Sequence, residues 1–349
     1  MKTTPRIIFP LRGSALKSLN RLLVSLQVDK PRKYFILTDE NTLNHCMPAL
    51  ICSCPVLEEA EFLELPAGEE CKSPAIILEV WQSLLSSGAG RDSVILNLGG
   101  GCLCDSGGFV AATYQRGIDY INIPTSLVAM VDAAIGGKTA INIDSTKNQV
   151  GCFHSPIATC IEPVFLDTLP ERERRNGEYE IMKTLLLTGF ESWSTVFSAL
   201  GSYENLIRQC VEFKASVVRA DYKEQGIRKI LNFGHTFGHA IESFSLYSGK
   251  SLSHGEAVGI GMLCALYLSE HKLGLSHTDY QSYKDWLTQR ITLPRYSLRD
   301  TESILSYMRH DKKNSGGSIQ CVLLQAPGLP VIDIPVPDVE LRDALLKLI

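Results

Sequence analysis

The feature that most constrains this chain is a change of hydrophobic texture near residue 170. Before it, short apolar runs alternate with helix-length stretches. RIIFP (6–10), KYFILTD (33–39) and SVILNLGGG (93–101) read as strands, and PAIILEVWQSLLSS (74–87) carries a helical period that ends at Gly88. A strand–helix–strand rhythm of this kind calls for a parallel sheet with helices on its faces. Asp105 is placed to cap a helix over residues 106–115 that stops at Arg116-Gly117, and DYINIPT adds a strand ending at Pro124. Beyond residue 170, ERERRNGEYEIMKTLLLTGF, YENLIRQCVEFKASVVRAD and residues 255–272 keep helical periodicity with few strand candidates. The expected architecture is an α/β domain over residues 1–160 and a mainly α-helical domain over residues 161–349, joined near Pro156–Pro170. The tail SIQCVLLQAPGLPVIDIPV is β-like.

Length and composition narrow the class. A chain of 349 residues, 45% of them hydrophobic, has room for two cores. A net charge of −4 with both signs scattered presents no basic face, so nucleic acid is not the expected partner. No apolar run is long enough for a bilayer, so no membrane partner is expected. MKTTPRIIFPLRG lacks the apolar stretch of a secretory signal, which points to the cytoplasm. The 11 cysteines form no C-x-x-C pair and sit beside apolar residues, as buried reduced thiols do.

Chemistry concentrates in LNFGHTFGHAIE (231–242) and HGEAVGIGM (254–262). His235 and His239 are four apart, so on a helix they project from one face. His254 opens a second helix after a loop. Histidine accounts for only 8 residues in the chain, and a lone helical histidine is ordinarily a hydrogen-bonded core residue. Three so close together form a cradle for a divalent metal. An acidic third ligand is needed, and Glu180, Glu242 and Glu256 are all candidates on spacing.

A strand running into Gly99-Gly100-Gly101 and then a helix suits a diphosphate, because bare N–H groups and a helix N-terminus favour an anion. A tight turn explains the same glycines. Asp39, in the turn Asp39-Glu40-Asn41, sits where a carboxylate can hold ribose hydroxyls, although such a residue is commonly a helix cap. Lys138, Lys147, Lys183, Lys214, Arg228 and Asn232 lie in glycine-rich turns or apolar helices. Most lysines are solvated charge, but a substrate carrying phosphate and carboxylate needs several fixed cations.

At these residues the chain resembles the 3-dehydroquinate synthases of the sugar-phosphate cyclase family. The segments that carry the likeness are AGEECKS (67–73), GGGCLCDSGGFVAATYQRG (99–117), IPTSLVAMVDAAIGGKTAIN (123–142) and TKNQVGCFHSP (146–156). They continue as FLDTLPERE (165–173), NGEYEIMK (176–183), RKILNFGHTFGHAIE (228–242), HGEAVGIGM and HDKKN (310–314). The resemblance implies a Rossmann-like NAD-binding N-terminal domain and a helical metal- and substrate-binding C-terminal domain. It also implies one divalent metal, zinc with cobalt as an alternative, and a homodimer. The implied reaction converts 3-deoxy-D-arabino-heptulosonate 7-phosphate to 3-dehydroquinate and phosphate, a step of the shikimate pathway on the way to aromatic amino acids. NAD is reduced and reoxidised within one turnover.

Carried over residue by residue, the resemblance assigns the metal to Glu180, His235 and His254, and sets His239 beside the substrate. NAD falls to Asp39, Asn41, Glu69, Lys72, Gly100, Gly101, Asp105, Thr125, Ser126, Lys138, Lys147, Phe165, Thr168 and Glu173. The substrate falls to Arg116, Asp132, Asn148, Lys183, Lys214, Arg228, Asn232 and either Lys312 or Lys313. Across these assignments Lys138, Lys183, His239, Asp132 and Arg116 are the expected catalytic groups, and Arg228 with Asn232 matches the family's carboxylate contacts.

The chain departs from the family pattern at several points. Glu178 and Tyr179 replace small residues before the metal glutamate, and Cys104 stands where glycine is usual. Ser126 replaces a threonine, Met130 a glutamine, and Thr184-Leu185 an aromatic-then-glycine pair. The rival readings are a cyclase acting on another sugar phosphate, a metal-dependent polyol dehydrogenase, and a non-catalytic relative.

Overall fold

Strands β2 (Tyr34–Asp39) and β4 (Val94–Gly99) are buried at every position, as expected of apolar runs covered on both faces of a parallel sheet. With β1 (Arg6–Ile8), β3 (Glu61–Leu65), β5 (Asp119–Pro124) and β8 (Ala158–Cys160) they form a six-stranded sheet of order β1-β8-β5-β4-β2-β3, parallel throughout. The computed structural model describes residues 6–9, 14–144, 146–200, 203–247, 249, 251–311 and 318–348. It divides into two units, Met1–Arg174 and Arg175–Ile349.

In the first unit the connections are α1 (Ala15–Asp29), α2 (Glu40–His45), α3 (Met47–Ser53), α4 (Pro74–Ser86) and α5 (Gly101–Thr113). Ile77, Val80 and Leu84 of α4 and Val110 of α5 pack against Phe35, Leu37 and Ile95 of the sheet. Each fully buried side chain of this kind contributes about 1.5–3 kcal/mol. The chain runs from β2 to β3 on one side and then returns to β4 on the other, so the topological switch lies between the ends of β2 and β4. Ligands of such sheets bind at that point, beyond the strand C-termini. α5 begins at Gly101 with Gly100 as its cap residue, so Asp105 lies inside the helix and does not cap it as its position suggested. The texture of residues 138–153 did not read as sheet, yet β6 (Lys138–Ile143) and β7 (Thr146–Phe153) pair as an antiparallel hairpin. Its strands are half exposed, so they lack the apolar run that marks the central strands.

The second unit is helical, with α6 (Glu171–Thr188), α7 (Trp193–Ala199), α8 (Tyr203–Ala220), α9 (His235–Tyr247), α10 (His254–Leu273), α11 (His277–Thr288) and α12 (Leu298–Asp311). The β-like tail forms the hairpin β9 (Ile319–Ala326) and β10 (Leu329–Val336), followed by α13 (Asp338–Leu346). α10 is the core element, its apolar residues buried from Val258 to Leu268. A β-carbon on Gly261 would stand 2.1 Å from the carbonyl oxygen of Gly234, which itself has φ +77°. These two glycines let the start of α9 lie directly on α10. All eleven cysteines are free thiols, and among the described residues no helix is long and apolar enough to cross a membrane.

Candidate functional site

Three elements of the second unit each deliver one ligand atom to a common point. Glu180 projects from α6, His235 is the first residue of α9, and His254 the first of α10. Their donor atoms all lie within 4.8 Å of one another. His235 Nε2 is 3.7 Å and His254 Nε2 3.5 Å from Glu180 Oε1. The ring of His239 stands behind them, its centroid 5.2 Å from that of His235 and 6.0 Å from that of His254.

The second nitrogen of each imidazole is already committed. His235 Nδ1–H donates to the carbonyl of Phe233 at 3.2 Å, and His254 Nδ1–H donates to Glu242 Oε2 at 3.2 Å. Both partners are acceptors only, so Nε2 carries the lone pair in each neutral ring, turned toward Glu180. A metal-ligating histidine is ordinarily held in this way. The carboxylate of Glu180 is 1% exposed; Lys183 Nζ is 2.5 Å from Oε2, while Oε1 faces the two imidazoles at 3.5 and 3.7 Å. A buried carboxylate is costly unless a cation completes it. The residues present therefore fit a divalent ion held by one oxygen and two nitrogens.

The same geometry gives different surroundings to the three glutamates that spacing left open. Glu256 closes a capping box with Ser253 at the start of α10, accepting from the Ser253 N–H at 2.7 Å. Glu242 stands behind His254 as its hydrogen-bond acceptor. Glu180 alone faces both Nε2 atoms.

Electrostatics agree with a cation site. Burial works to raise the Glu180 carboxyl, but the Lys183 ammonium, and after it His235 and His254, hold it well below the usual carboxylate range. His235 is pushed well below the ordinary imidazole range by burial and then by the Lys183 charge, which keeps it a neutral donor. Burial also opposes charge on His254, yet Glu180 and Glu242 on either side push it up to about 10. A field that holds a proton on Nε2 attracts a divalent cation in its place.

The candidate substrate residues of this unit lie on α6 (Lys183), on α8 (Lys214) and in the turn before α9 (Arg228 and Asn232). Lys183, Lys214 and Arg228 are all buried. Arg228 donates from Nη1 to the Tyr222 carbonyl at 2.6 Å, and its Nε is 3.8 Å from Glu224 Oε2. Asn232 Nδ2 donates to the other oxygen of Glu224 at 2.8 Å. An internal carboxylate thus spans the two residues expected to bind one. Glu224 carries φ +59°, a backbone conformation that an L residue adopts at a cost. Lys312 and Lys313 lie outside the described residues.

In the first unit Asp39, Gly100, Gly101 and Thr125 of the expected cofactor residues lie at or just after strand C-termini. Asp39 and Gly99 end β2 and β4, and the Thr125 N–H following β5 donates to Gly99 O at 3.0 Å. Asp39 is also the cap of α2, in a reciprocal box with Thr42. Asn41 is exposed in the first turn of that helix. No side chain caps α5, and a β-carbon on Gly100 would meet nothing nearer than Ser126 Oγ at 3.5 Å. Open backbone at an uncapped helix start fits a diphosphate. The Cys104 side chain is buried, with Sγ 3.8 Å from Gly99 O, so it does not take up the space over Gly100.

The hairpin draws a second group together. Lys72 Nζ donates to Asp105 Oδ2 at 2.8 Å and to Asn148 Oδ1 at 2.6 Å, while Lys147 Nζ is 3.1 Å from Glu69 Oε1. Burial disfavours the Lys72 charge, but Asp105, Cys102 and Glu69 together outweigh it and the ammonium is held above its ordinary range. Asn148, expected beside the substrate, is bonded in this structure to Lys72, a residue expected beside NAD. Asn142 joins them, donating to Glu69 Oε2 at 2.8 Å, and nothing in the sequence singled it out.

Other expected residues stand apart from this group. Lys138 is exposed at the start of β6, and Arg116 is exposed with φ +69° at the end of α5 away from Gly101. Asp132 lies in a π-helical turn, Ala129–Ala133. Phe165 is buried, whereas Thr168 and Glu173 are exposed around the start of α6.

Comparison with known proteins gives one family for both units. Residues 62–176 match the family described as 3-dehydroquinate synthase N-terminal, and residues 177–314 match 3-dehydroquinate synthase C-terminal. The chain is 40% identical over 320 residues to the 3-dehydroquinate synthase of Parabacteroides distasonis, covering 90% of each. Among solved structures it resembles 2-epi-5-epi-valiolone synthase of Streptomyces hygroscopicus with NAD+ and Zn2+ bound. That likeness has a TM-score of 0.83 at 26% identity, over 100% of this chain and 97% of that one. It also resembles 2-deoxy-scyllo-inosose synthase complexed with carbaglucose-6-phosphate, NAD+ and Co2+, with a TM-score of 0.79 at 25% identity over 93% and 94%.

Proposed function

The chain belongs to the 3-dehydroquinate synthase family, and on that premise we propose that it is a phosphate-eliminating lyase using catalytic NAD and one divalent metal. Its reaction is the conversion of 3-deoxy-D-arabino-heptulosonate 7-phosphate to 3-dehydroquinate and phosphate. The sequence of steps is transient oxidation, phosphate elimination, re-reduction and intramolecular aldol closure. The same reading makes it a cytoplasmic homodimer.

The observation that carries the proposal is the convergence of Glu180 Oε1, His235 Nε2 and His254 Nε2, with both Nδ1 atoms held by acceptors. A zinc or cobalt ion bound by these three residues supplies Lewis-acid polarisation of substrate oxygens. Asp39, Gly100 and Gly101 would hold NAD, which would supply a hydride acceptor regenerated within the turnover. The remaining work falls to the chain's own residues. Glu242 keeps the His254 Nε2 lone pair turned inward. Lys183, buried beside Glu180, presents its ammonium to anionic substrate groups. Arg228 and Asn232 take the substrate carboxylate in place of Glu224, and His239 is placed to exchange a proton with the substrate.

The preference for a carboxylate-bearing substrate rests on Arg228 and Asn232, since a cyclase acting on a neutral sugar phosphate has no use for that pair. The test is phosphate release from the seven-carbon keto acid phosphate, with and without chelator, while absorbance is followed for NADH. Metal-dependent phosphate release without accumulating NADH is expected. Net NADH from a polyol would establish a dehydrogenase instead.

A further inference from the structure

The two residues just before Glu180 depart from the family pattern, and the fold is built around both of them. Tyr179 is 1% exposed, and its ring lies along the first turns of α10. A β-carbon on Gly255 would stand 2.8 Å from Tyr179 Cδ2, and one on Gly259 would stand 2.7 Å from Cδ1. Real β-carbons do not approach so closely, so the ring occupies space available only because α10 carries glycine at both positions. Gly255 directly follows His254.

Further contacts pin the ring in place. Trp286 of α11 meets it edge-on, with centroids 5.6 Å apart at 78°. Tyr283 O–H, also from α11, donates to Gly259 O at 2.8 Å, on the stretch of α10 that the ring covers. Glu178 accepts from Tyr203 O–H at 2.7 Å and lies 3.6 Å from Arg290 Nε. The Arg290 guanidinium in turn stands 4.5 Å from the Trp286 ring. On α6, Asn176 Oδ1 accepts the Gly255 N–H.

Glu180 Oε1 lies 3.5 Å from His254 Nε2, a contact too long to fix by itself the distance between two helices. That distance is set by what separates α6 from α10 beside it. We propose that Tyr179 is a positioning residue of the metal centre, its ring fixing the spacing and register of α6 against α10 and hence of Glu180 against His254. The inference rests on the metal centre proposed above.

The test is zinc affinity of the stripped full-length protein, measured by competition with a chromogenic chelator. Removing a residue that orients a metal ligand typically weakens binding by about 10- to 100-fold, and Tyr179→Ala is expected to fall in that range. Tyr179→Phe keeps the ring and is expected to bind zinc as the parent does. Leu341→Ala, a fully buried truncation on α13 in the same core, lowers the melting temperature while leaving zinc affinity unchanged.

Parent-like zinc affinity in Tyr179→Ala, with only a lower melting temperature, would overturn the proposal. Should that variant fail to fold, Tyr179→Leu replaces it, with weakened affinity expected and unchanged affinity counting against. His254→Ala is the reference arm. If it binds zinc as tightly as the parent, the metal centre itself is refuted, an outcome separate from failure of Tyr179 alone.

Discussion

Glu242 Oε2 accepts a hydrogen bond from His254 Nδ1 at 3.2 Å, and this contact decides which nitrogen of the ring faces Glu180. Without the acceptor the imidazole is free to hold its proton on either nitrogen and to turn about its side-chain bonds. Glu242→Ala is therefore expected to weaken zinc binding by about 10- to 100-fold. Glu242→Gln, which retains an acceptor oxygen, should lie between the parent and the alanine variant. Chelator competition on the three proteins measures this, and equal affinities would remove Glu242 from the site.

Two glycines, Gly100 before α5 and Gly107 within it, predict opposite outcomes. A β-carbon on Gly100 meets only Ser126 Oγ at 3.5 Å, so Gly100→Ala should fold with nearly unchanged stability. With NAD held at this helix start as proposed, the added methyl would crowd its diphosphate, and NAD affinity should drop. A β-carbon on Gly107 would lie 2.0 Å from Asn97 Oδ1, inside a buried Asn97–Asn122 pair. Gly107→Ala is expected to cost about 1–3 kcal/mol, typical of overpacking, whether or not NAD is present. Thermal melts and nucleotide titration of both variants separate the two effects.

The difference between what the sequence disclosed and what it concealed follows from range. Strands β2 and β4 declare themselves because each is a continuous apolar run between turn residues. The helices of the second unit do so through the 3.6-residue period. His235 and His254 were legible because three histidines fall so close together. The third ligand was not, since the separation of Glu180 from His235 in sequence says nothing about their approach in space. Only the family likeness chose it from Glu242 and Glu256. The hairpin of β6 and β7 stayed hidden because its exposed strands carry no apolar stripe. Asn142, on a half-exposed strand, and Glu224, in a turn, stayed hidden because a polar residue in such a place reads as solvated until its partner is known.

Arg228 and Asn232 are spanned by Glu224, with Asn232 Nδ2 at 2.8 Å from one oxygen and Arg228 Nε at 3.8 Å from the other. A substrate carboxylate at the same two residues has to displace this internal one. Arg228→Ala should raise KM for the seven-carbon keto acid phosphate by about 10- to 100-fold, as loss of a charged hydrogen bond worth about 1.5–3 kcal/mol predicts. For a substrate analogue without the carboxylate, the same change should have little effect. Steady-state kinetics with both compounds decides it, and a similar loss with each would detach Arg228 from carboxylate binding.

Asp221 holds the turn that carries Glu224 and Arg228, and this sets a dependence on pH. Its carboxylate accepts backbone N–H groups from Gln225 at 3.0 Å, Gly226 at 2.7 Å and Arg228 at 3.1 Å. Desolvation works to raise this carboxyl, but those donors, Gly226 foremost, outweigh it and hold it below the usual range. A group depressed on folding stabilises the native state above its unfolded pKa, about 3.9 for aspartate, and that contribution is lost as pH falls through the native value. The parent should therefore melt higher than Asp221→Asn by a constant margin from neutral pH down to about 4, again by the aspartate reference value. The margin should shrink below that point as the parent carboxylate takes up its proton. Melting temperatures of both proteins between neutrality and strong acid test this. A margin that does not narrow in acid would mean that the turn is held by something other than the Asp221 charge.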